Sequence, residues 1–131
     1  MRFLQRYEAY TYALLRFVAG VLFACHGAKK LFGAFGSAGA GGDTMMLVAG
    51  VVEFFGGAMI ALGLWAGPAA FVASGLMAVA YFKAHAPGGF WPIVNRGELA
   101  VLYCFLFLYI AARGSGIYSL EGLFVRKRRP A

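Results

Sequence analysis

Few residues of this chain could exchange protons or bind a polar ligand, and one of them lies inside a long apolar segment. Glu53 is the single carboxylate in MMLVAGVVEFFGGAMIALGLW, three residues after Gly50 and four before Gly57. On a helix this spacing places Glu53 on the small-residue face, which points toward neighbouring helices. A charged group at the centre of a bilayer costs about 2.5 kcal/mol or more, so we expect Glu53 to be paired, protonated or exposed to a cavity.

Depth along the predicted helices groups further titratable side chains around Glu53, near one mouth of a bundle. His26 is predicted beside Glu53, and these two are the candidates for proton exchange. The candidate ligand-binding residues are Arg16, Lys30, Lys83, His85, Glu98 and Trp91. Titratable groups beside an apolar slot can exchange protons with a bound ligand.

Each of these side chains also has a purely structural interpretation. Glu53 and Glu98 could each pair with a base and fix helix register, and Lys29, Lys30 and Lys83 could extend to the lipid headgroups. Either histidine could be a hydrogen-bonded residue of the bundle mouth. Arg16, about two turns from the end of its helix, could reach the inner headgroups in the same way.

Metal and thiol chemistry are less well supported. Two histidines and two acids could ligate a metal, but neither H-x-x-E nor C-x-x-C spacing is present, so no metal site is predicted. Cys25 and Cys104 fall at similar depth on the first and fourth helices, but on faces that differ from those of the polar residues. We expect two small apolar packing residues and not a redox pair.

The elements that must position these groups are membrane-spanning helices. The 131 residues are 62% hydrophobic and 13% charged, with a mean hydropathy of +0.74. A helix needs about twenty mainly apolar residues to cross the hydrocarbon core. Four segments meet that length and leave no room for another domain, so we predict one all-α, four-helix transmembrane domain over residues 1–131, with helices at about 9–32, 45–65, 67–85 and 97–113.

Basic residues predict how this bundle is oriented. Seven lie on the side that carries both termini (Arg2, Arg6, Arg113, Arg126, Lys127, Arg128 and Arg129), against four on the other (Lys29, Lys30, Lys83 and Arg96). Because basic residues stay on the cytoplasmic side, both termini are predicted to be cytoplasmic. The net charge of +7 is concentrated in the short tail, which favours anionic lipid headgroups over nucleic acid as the partner. The N-terminal segment is too long, and interrupted by Arg16, for a cleaved signal peptide.

Small residues and loops complete the expected architecture. Stripes at Gly20, Ala24 and Ala28, at Gly50 and Gly57, and at Gly75 and Ala78 predict close helix contacts. The glycine-rich loop FGAFGSAGAGGDT ends in two candidate N-caps, Asp43 and Thr44. The loop HAPGGFWPIVNRGE is too apolar for a solvated loop and is expected to cover the bundle mouth as a lid.

Four sequence blocks together resemble the DoxX family of small bacterial membrane proteins: LLRFVAGVLFACHGAKKLFG, GVVEFFGGAMIALGL, KAHAPGGFW and GELAVLYCFLFLYIAARGSGIYSLEGLF. They cover about residues 10 to 124. The resemblance implies a four-helix protein of the bacterial inner membrane. It also implies a link to thiosulfate:quinone oxidoreductase and to membrane oxidoreductase complexes that handle thiol and oxidative stress. Family polar positions fall on Arg16, His26, Lys30, Glu53, Lys83, His85 and Glu98, while Glu121 stands where aspartate is as common.

Three functions follow from this pattern. The leading hypothesis is a membrane redox subunit that binds a quinone or similar apolar carrier. Whether the chain is itself an enzyme stays open, because it has no haem, flavin or iron–sulfur motif and would need electrons from a partner. The alternatives are a non-enzymatic assembly subunit of a larger membrane complex, and a small-solute or proton-coupled carrier. A membrane protein partner or a homo-oligomer is expected in each case.

Overall fold

A computed structural model describes residues 1–127, and these residues form helices and loops without a β-strand. Arg128 and Arg129 of the predicted basic tail lie outside the described residues. Short helical turns occupy Arg2–Gln5, Ala34–Gly36 and Pro92–Asn95. The main helices are α1 (Glu8–Phe32), α2 (Thr44–Leu62), α3 (Ala66–Gly88), α4 (Glu98–Arg113) and α5 (Leu120–Lys127).

Three of these helices, α1, α2 and α3, are long and apolar enough to cross a membrane. Helix α4 has 16 residues, which is about 24 Å at the rise of an α-helix and shorter than a typical hydrocarbon core. Large apolar side chains are exposed along each of α1 to α4, for example Phe17, Val48, Phe71 and Phe105. Such a continuous apolar exterior is stable against lipid and unfavourable in water.

Helices α1 and α2 cross at backbone contact. A Cβ on Gly57 would lie 2.5 Å from the Ala24 nitrogen, and one on Gly20 would lie 2.4 Å from the Ala61 nitrogen. Gly27 is equally crowded, 2.2 Å from the Phe54 nitrogen. The predicted close contact is therefore confirmed for Gly20, Ala24, Gly50 and Gly57, whereas the third close approach of α1 is made by Gly27, which was not predicted.

The stripe predicted on α3 is wrong. Gly75 faces open space, with no atom within 4 Å of a Cβ placed there. Helix α3 packs against α4 through a different face, which is formed by Ala66, Ala69, Ala70, Ala73 and Ser74. The Ser74 hydroxyl donates to the Cys104 carbonyl at 2.7 Å and fixes this contact.

Both α2 and α3 contain one widened, π-helical turn. In α2 it spans Val52–Gly56 and includes Glu53; in α3 it spans Tyr81–His85 and includes Lys83 and His85. Single π-helical turns are frequent at functional sites, because they change the direction in which the side chains of a helix point.

The loop before α4 is ordered, but it is not the predicted lid. Asn95 donates to the Gly89 carbonyl at 2.6 Å and to the Tyr81 hydroxyl at 3.2 Å, and its own side-chain oxygen accepts from the Gly97 nitrogen at 2.8 Å. The apolar side chains of this loop point outward and are exposed, namely those of Phe90, Trp91, Ile93 and Val94. At the other loop, Asp43 caps α2 by accepting from the Met45 and Met46 nitrogens, as predicted.

Candidate functional site

A cavity of about 880 Å³ opens between the C-terminal halves of α1 and α3 and the N-terminal halves of α2 and α4. Its volume lies within the range of small-molecule sites, which is roughly 300–1,000 Å³. The walls are mainly apolar, as in Phe23, Met46, Val48, Leu76, Met77, Val79 and Leu99. The titratable lining residues are His26, Lys30, Glu53, Lys83, His85, Arg96 and Tyr103.

Glu53 forms an ion pair on the cavity wall, in which the glutamate is buried and the lysine is partly exposed. The Glu53 side chain is 3% exposed, and Oε1 lies 2.5 Å from Nζ of Lys30 on α1. The second oxygen, Oε2, is buried and accepts no hydrogen bond from the described residues. The partner is thus Lys30, one turn beyond His26, so the expectation that a neighbouring base holds Glu53 is met by the lysine.

His26 lines the cavity without a hydrogen-bond partner among residues 1–127. Its ring packs edge-on against Tyr103, with centroids 6.3 Å apart. Tyr103 is buried and stacks on Phe107 at 5.2 Å, while Phe23 lies 5.5 Å from the Tyr103 ring. The aromatic cluster fixes the floor of the cavity beside the histidine, which keeps both ring nitrogens available to a ligand.

His85 is oriented by the loop before α4. Its Nδ1 lies 3.1 Å from the Asn95 carbonyl oxygen, so Nδ1–H donates and the neutral ring offers Nε2 as an acceptor. Asn95 is held in turn by Tyr81 and Gly89. The loop therefore positions a cavity residue without covering the cavity.

Arg16 belongs to a separate polar centre at the opposite end of the molecule. The side chain is buried and donates from Nη1 to the carbonyls of Ile60 (2.8 Å) and Ala61 (3.1 Å), and from Nη2 to those of Ile117 (3.4 Å) and Tyr118 (2.9 Å). These four acceptors hold the guanidinium inside the protein, so it does not extend to the headgroups. Arg16 does not line the cavity.

Two further candidate residues also lie outside the cavity lining. Glu98 is exposed in the first turn of α4, and Trp91 is exposed on the outward side of its loop. Cys25 and Cys104 are free thiols that do not line the cavity. Among residues 1–127, no three histidine, cysteine or acidic side chains come together as metal ligands.

Two titratable residues of the cavity lining were not among the sequence candidates, namely Arg96 and Tyr103. Tyr103 occurs at helical spacing from Leu99 and Phe107, so the sequence shows it as one more core aromatic. Arg96 lies in the loop, and its place at the cavity depends on a left-handed backbone conformation (φ 60°) that ends the turn Pro92–Asn95. The sequence NRGE offers one signal for it, a basic residue directly before a helix start.

These features define an all-α membrane protein with a ligand-sized cavity and an ion pair on its wall. Comparison with known sequences then identifies the family: the model described as DoxX matches residues 11–86, and the chain belongs to the DoxX family. The matched range contains His26, Lys30, Glu53, Lys83 and His85, whereas Arg96 and Tyr103 lie beyond it.

A relative of nearly equal length supports this assignment. A protein from Haemophilus influenzae, described only as an uncharacterized protein, is 43% identical over 134 residues, which is 97% of this chain and 100% of the relative. No solved structure matches the chain.

Proposed function

We propose that this protein is a multi-pass protein of the bacterial inner membrane that binds a quinone-like carrier in its cavity as part of a membrane oxidoreductase system. In this proposal all four helices α1 to α4 span the membrane as a bundle and both termini are cytoplasmic. The observation that carries the proposal is the Lys30–Glu53 pair, at 2.5 Å, on the wall of an apolar cavity of about 880 Å³.

The chemistry follows from what a quinone requires. Reduction of a quinone to a quinol takes up two electrons and two protons, so the site must supply protons next to an apolar ring slot. Glu53 and His26 line the same cavity and can each exchange a proton, while Lys30 stabilises the carboxylate after Glu53 has lost its proton. Electrons have to come from a partner protein, since the sequence has no motif for a resident redox centre.

The first experiment tests whether the cavity holds the carrier. The full-length protein and its variants are purified in a mild detergent, and the quinones that copurify are extracted and quantified. Ala49 lines the cavity, so Ala49→Phe fills it and should lower the bound quinone about tenfold. Ala112→Phe adds the same ring on an exposed face of α4 and should leave the bound quinone unchanged. Equal quinone in both variants, or none in the parent protein, would contradict the proposal.

The second experiment tests the proton role of Glu53. Glutamine keeps the shape of the side chain but cannot carry a proton, so Glu53→Gln should retain the quinone and alter the pH dependence of its midpoint potential, measured by spectroelectrochemistry. Glu53→Leu should instead leave Lys30, whose side chain is 25% exposed, without its partner and reduce the yield of folded protein. A Glu53→Gln protein with an unchanged pH dependence would leave Glu53 a purely structural residue.

One observation favours the assembly-subunit alternative. The loop before α4 exposes Phe90, Trp91, Ile93 and Val94 beside the cavity mouth, an apolar patch suited to contact with another membrane protein. A stoichiometric partner that copurifies with the parent protein, and is lost when these four residues are replaced by serine, would support that function. Copurified quinone without a partner would favour the carrier site.

A further inference from the structure

We infer that the natural ligand of the cavity carries an acidic group, which Lys83 and Arg96 bind at the mouth while an apolar body lies between the helices. The inference rests on the proposed function in using the same cavity, and it goes further by naming the charge of the ligand and a binding residue outside the range matched by the family.

The charge balance of the cavity is the first argument. Three lining residues are cations at neutral pH (Lys30, Lys83 and Arg96), whereas Glu53 is the single carboxylate of the lining. Lys30 is already paired with Glu53. Among residues 1–127, Lys83 and Arg96 form no ion pair with a carboxylate. Two cations without an opposite charge therefore face one cavity, which favours an anion there.

The backbone of Arg96 is the second argument. Its φ of 60° and ψ of 24° lie in the left-handed region, where glycine has no steric penalty and arginine does. This conformation ends the turn Pro92–Asn95 and turns the chain at the cavity that Arg96 lines. An arginine at this position sends its long side chain to the cavity wall, and a guanidinium offers paired donors that match a carboxylate, sulfonate or phosphate.

The apolar walls define the rest of the ligand. Leu76, Val79 and Leu99 line the same cavity as the two cations, so a small inorganic anion would leave most of the surface without a partner. The ligand that fits this cavity is an amphipathic anion. Acidic carriers and anionic membrane lipids both have this chemistry, and the experiment distinguishes between them.

The test compares two naphthoquinones that share one ring system: 2-hydroxy-1,4-naphthoquinone, an anion at neutral pH, and 2-methyl-1,4-naphthoquinone, which is neutral. Binding to the full-length protein in a non-ionic detergent is measured by isothermal titration calorimetry. We expect the anion to bind about tenfold more tightly than the neutral compound, the effect of one charge-assisted hydrogen bond. Lys83→Gln and Arg96→Gln should each remove most of that preference, because each lowers the affinity for the anion more than the affinity for the neutral compound.

Two further variants serve as controls. Lys29→Gln removes an exposed lysine of α1 that does not line the cavity, and the preference should persist. Arg96→Gly should lose the preference and gain thermal stability, because glycine relieves the left-handed strain. A higher unfolding temperature in Arg96→Gly would show that the variant is folded, so that its lost preference comes from the missing side chain.

The outcomes separate this inference from the proposed function. Equal binding of both naphthoquinones, or a preference that survives Lys83→Gln and Arg96→Gln, overturns the acidic ligand and leaves the carrier site intact. Binding of phosphatidylglycerol but not phosphatidylcholine, lost in the same two variants and without binding of either naphthoquinone, supports the acidic ligand as a lipid and overturns the carrier. No binding by any of the four compounds overturns both.

Discussion

At the scale of single residues, the two buried charged side chains of the described chain have different surroundings. Glu53 has one ion-pair partner and lines a cavity, whereas Arg16 donates four hydrogen bonds to backbone carbonyls and lines none. The carbonyls of Ile60 and Ala61 belong to the last turn of α2, where acceptors lack the donors of a following helical turn. The Ile60 carbonyl also accepts from the Gly63 nitrogen at 3.2 Å. A cation there is also favoured by the helix dipole. Arg16 therefore caps α2 and attaches the loop before α5 to it.

This arrangement predicts that Arg16 contributes to stability more than to ligand binding. Lysine keeps the charge but cannot donate to both pairs of carbonyls, so Arg16→Lys should lower the free energy of unfolding by about 2–3 kcal/mol. Thermal unfolding in detergent measures the loss. Arg113→Lys is the matched control: Arg113 pairs with the exposed Glu8, and its replacement should cost less than about 1 kcal/mol.

The competing prediction, that Arg16 binds the ligand, has the opposite signature. If Arg16→Lys unfolds at the parent temperature and loses its copurified quinone, the ligand-binding prediction is right and the capping role is wrong.

At the scale of helices, the contact between α1 and α2 is made by backbone atoms. Lipid removes the hydrophobic drive for helix association, so close van der Waals packing of small residues has to replace it. Gly20 and Gly57 meet at this crossing, and Glu53 lies one turn from Gly57 on the same face. The crossing therefore positions the acid of α2 against Lys30 of α1.

Two neighbouring glycines provide a test of this crossing. Gly57→Ala places a Cβ 2.5 Å from the Ala24 nitrogen and should lower the free energy of unfolding by about 1–3 kcal/mol, because the helices must separate. A Cβ placed on Gly56 would meet no atom within 4 Å. Gly56→Ala should therefore be neutral, or should stabilise the protein by up to about 1 kcal/mol because alanine has the better helix propensity. Thermal unfolding of both variants checks the difference; equal effects would show that the crossing tolerates side chains.

Much of this architecture follows from the sequence, because hydropathy, glycine spacing and capping residues act locally. The helix segments, the inward direction of Glu53 and the Asp43 cap could therefore be predicted. Other features depend on contacts between distant parts of the chain and could not. The π-helical turns depend on packing between helices, the α3–α4 contact uses alanines in place of the Gly75 stripe, and Arg96 reaches the cavity through a loop conformation. The choice of Lys30 over His26 as the partner of Glu53 is also a matter of side-chain reach, which spacing along a helix does not resolve.

At the scale of the whole molecule, the two polar centres lie at opposite ends of the helices. The Arg16 centre is at the end that carries the termini, where Glu8 pairs with Arg113 and the Tyr10 ring lies 5.9 Å from that of Tyr118. The cavity is at the other end, and the buried core residues Ala19, Ala73 and Phe107 lie between the two centres. The orientation of the chain in the membrane therefore decides from which side a polar ligand group reaches Lys83 and Arg96.

The last prediction concerns that orientation. The excess of basic residues on the side of the termini predicts a cytoplasmic Arg16 centre and a cavity that opens outward. Single cysteines at Ala38 and Leu123, both exposed, are introduced into a protein whose Cys25 and Cys104 are replaced by alanine. A membrane-impermeant maleimide should label Ala38→Cys in intact cells and Leu123→Cys only after permeabilisation. The reverse pattern would place the mouth of the cavity in the cytoplasm, so that Lys83 and Arg96 would meet cytoplasmic anions.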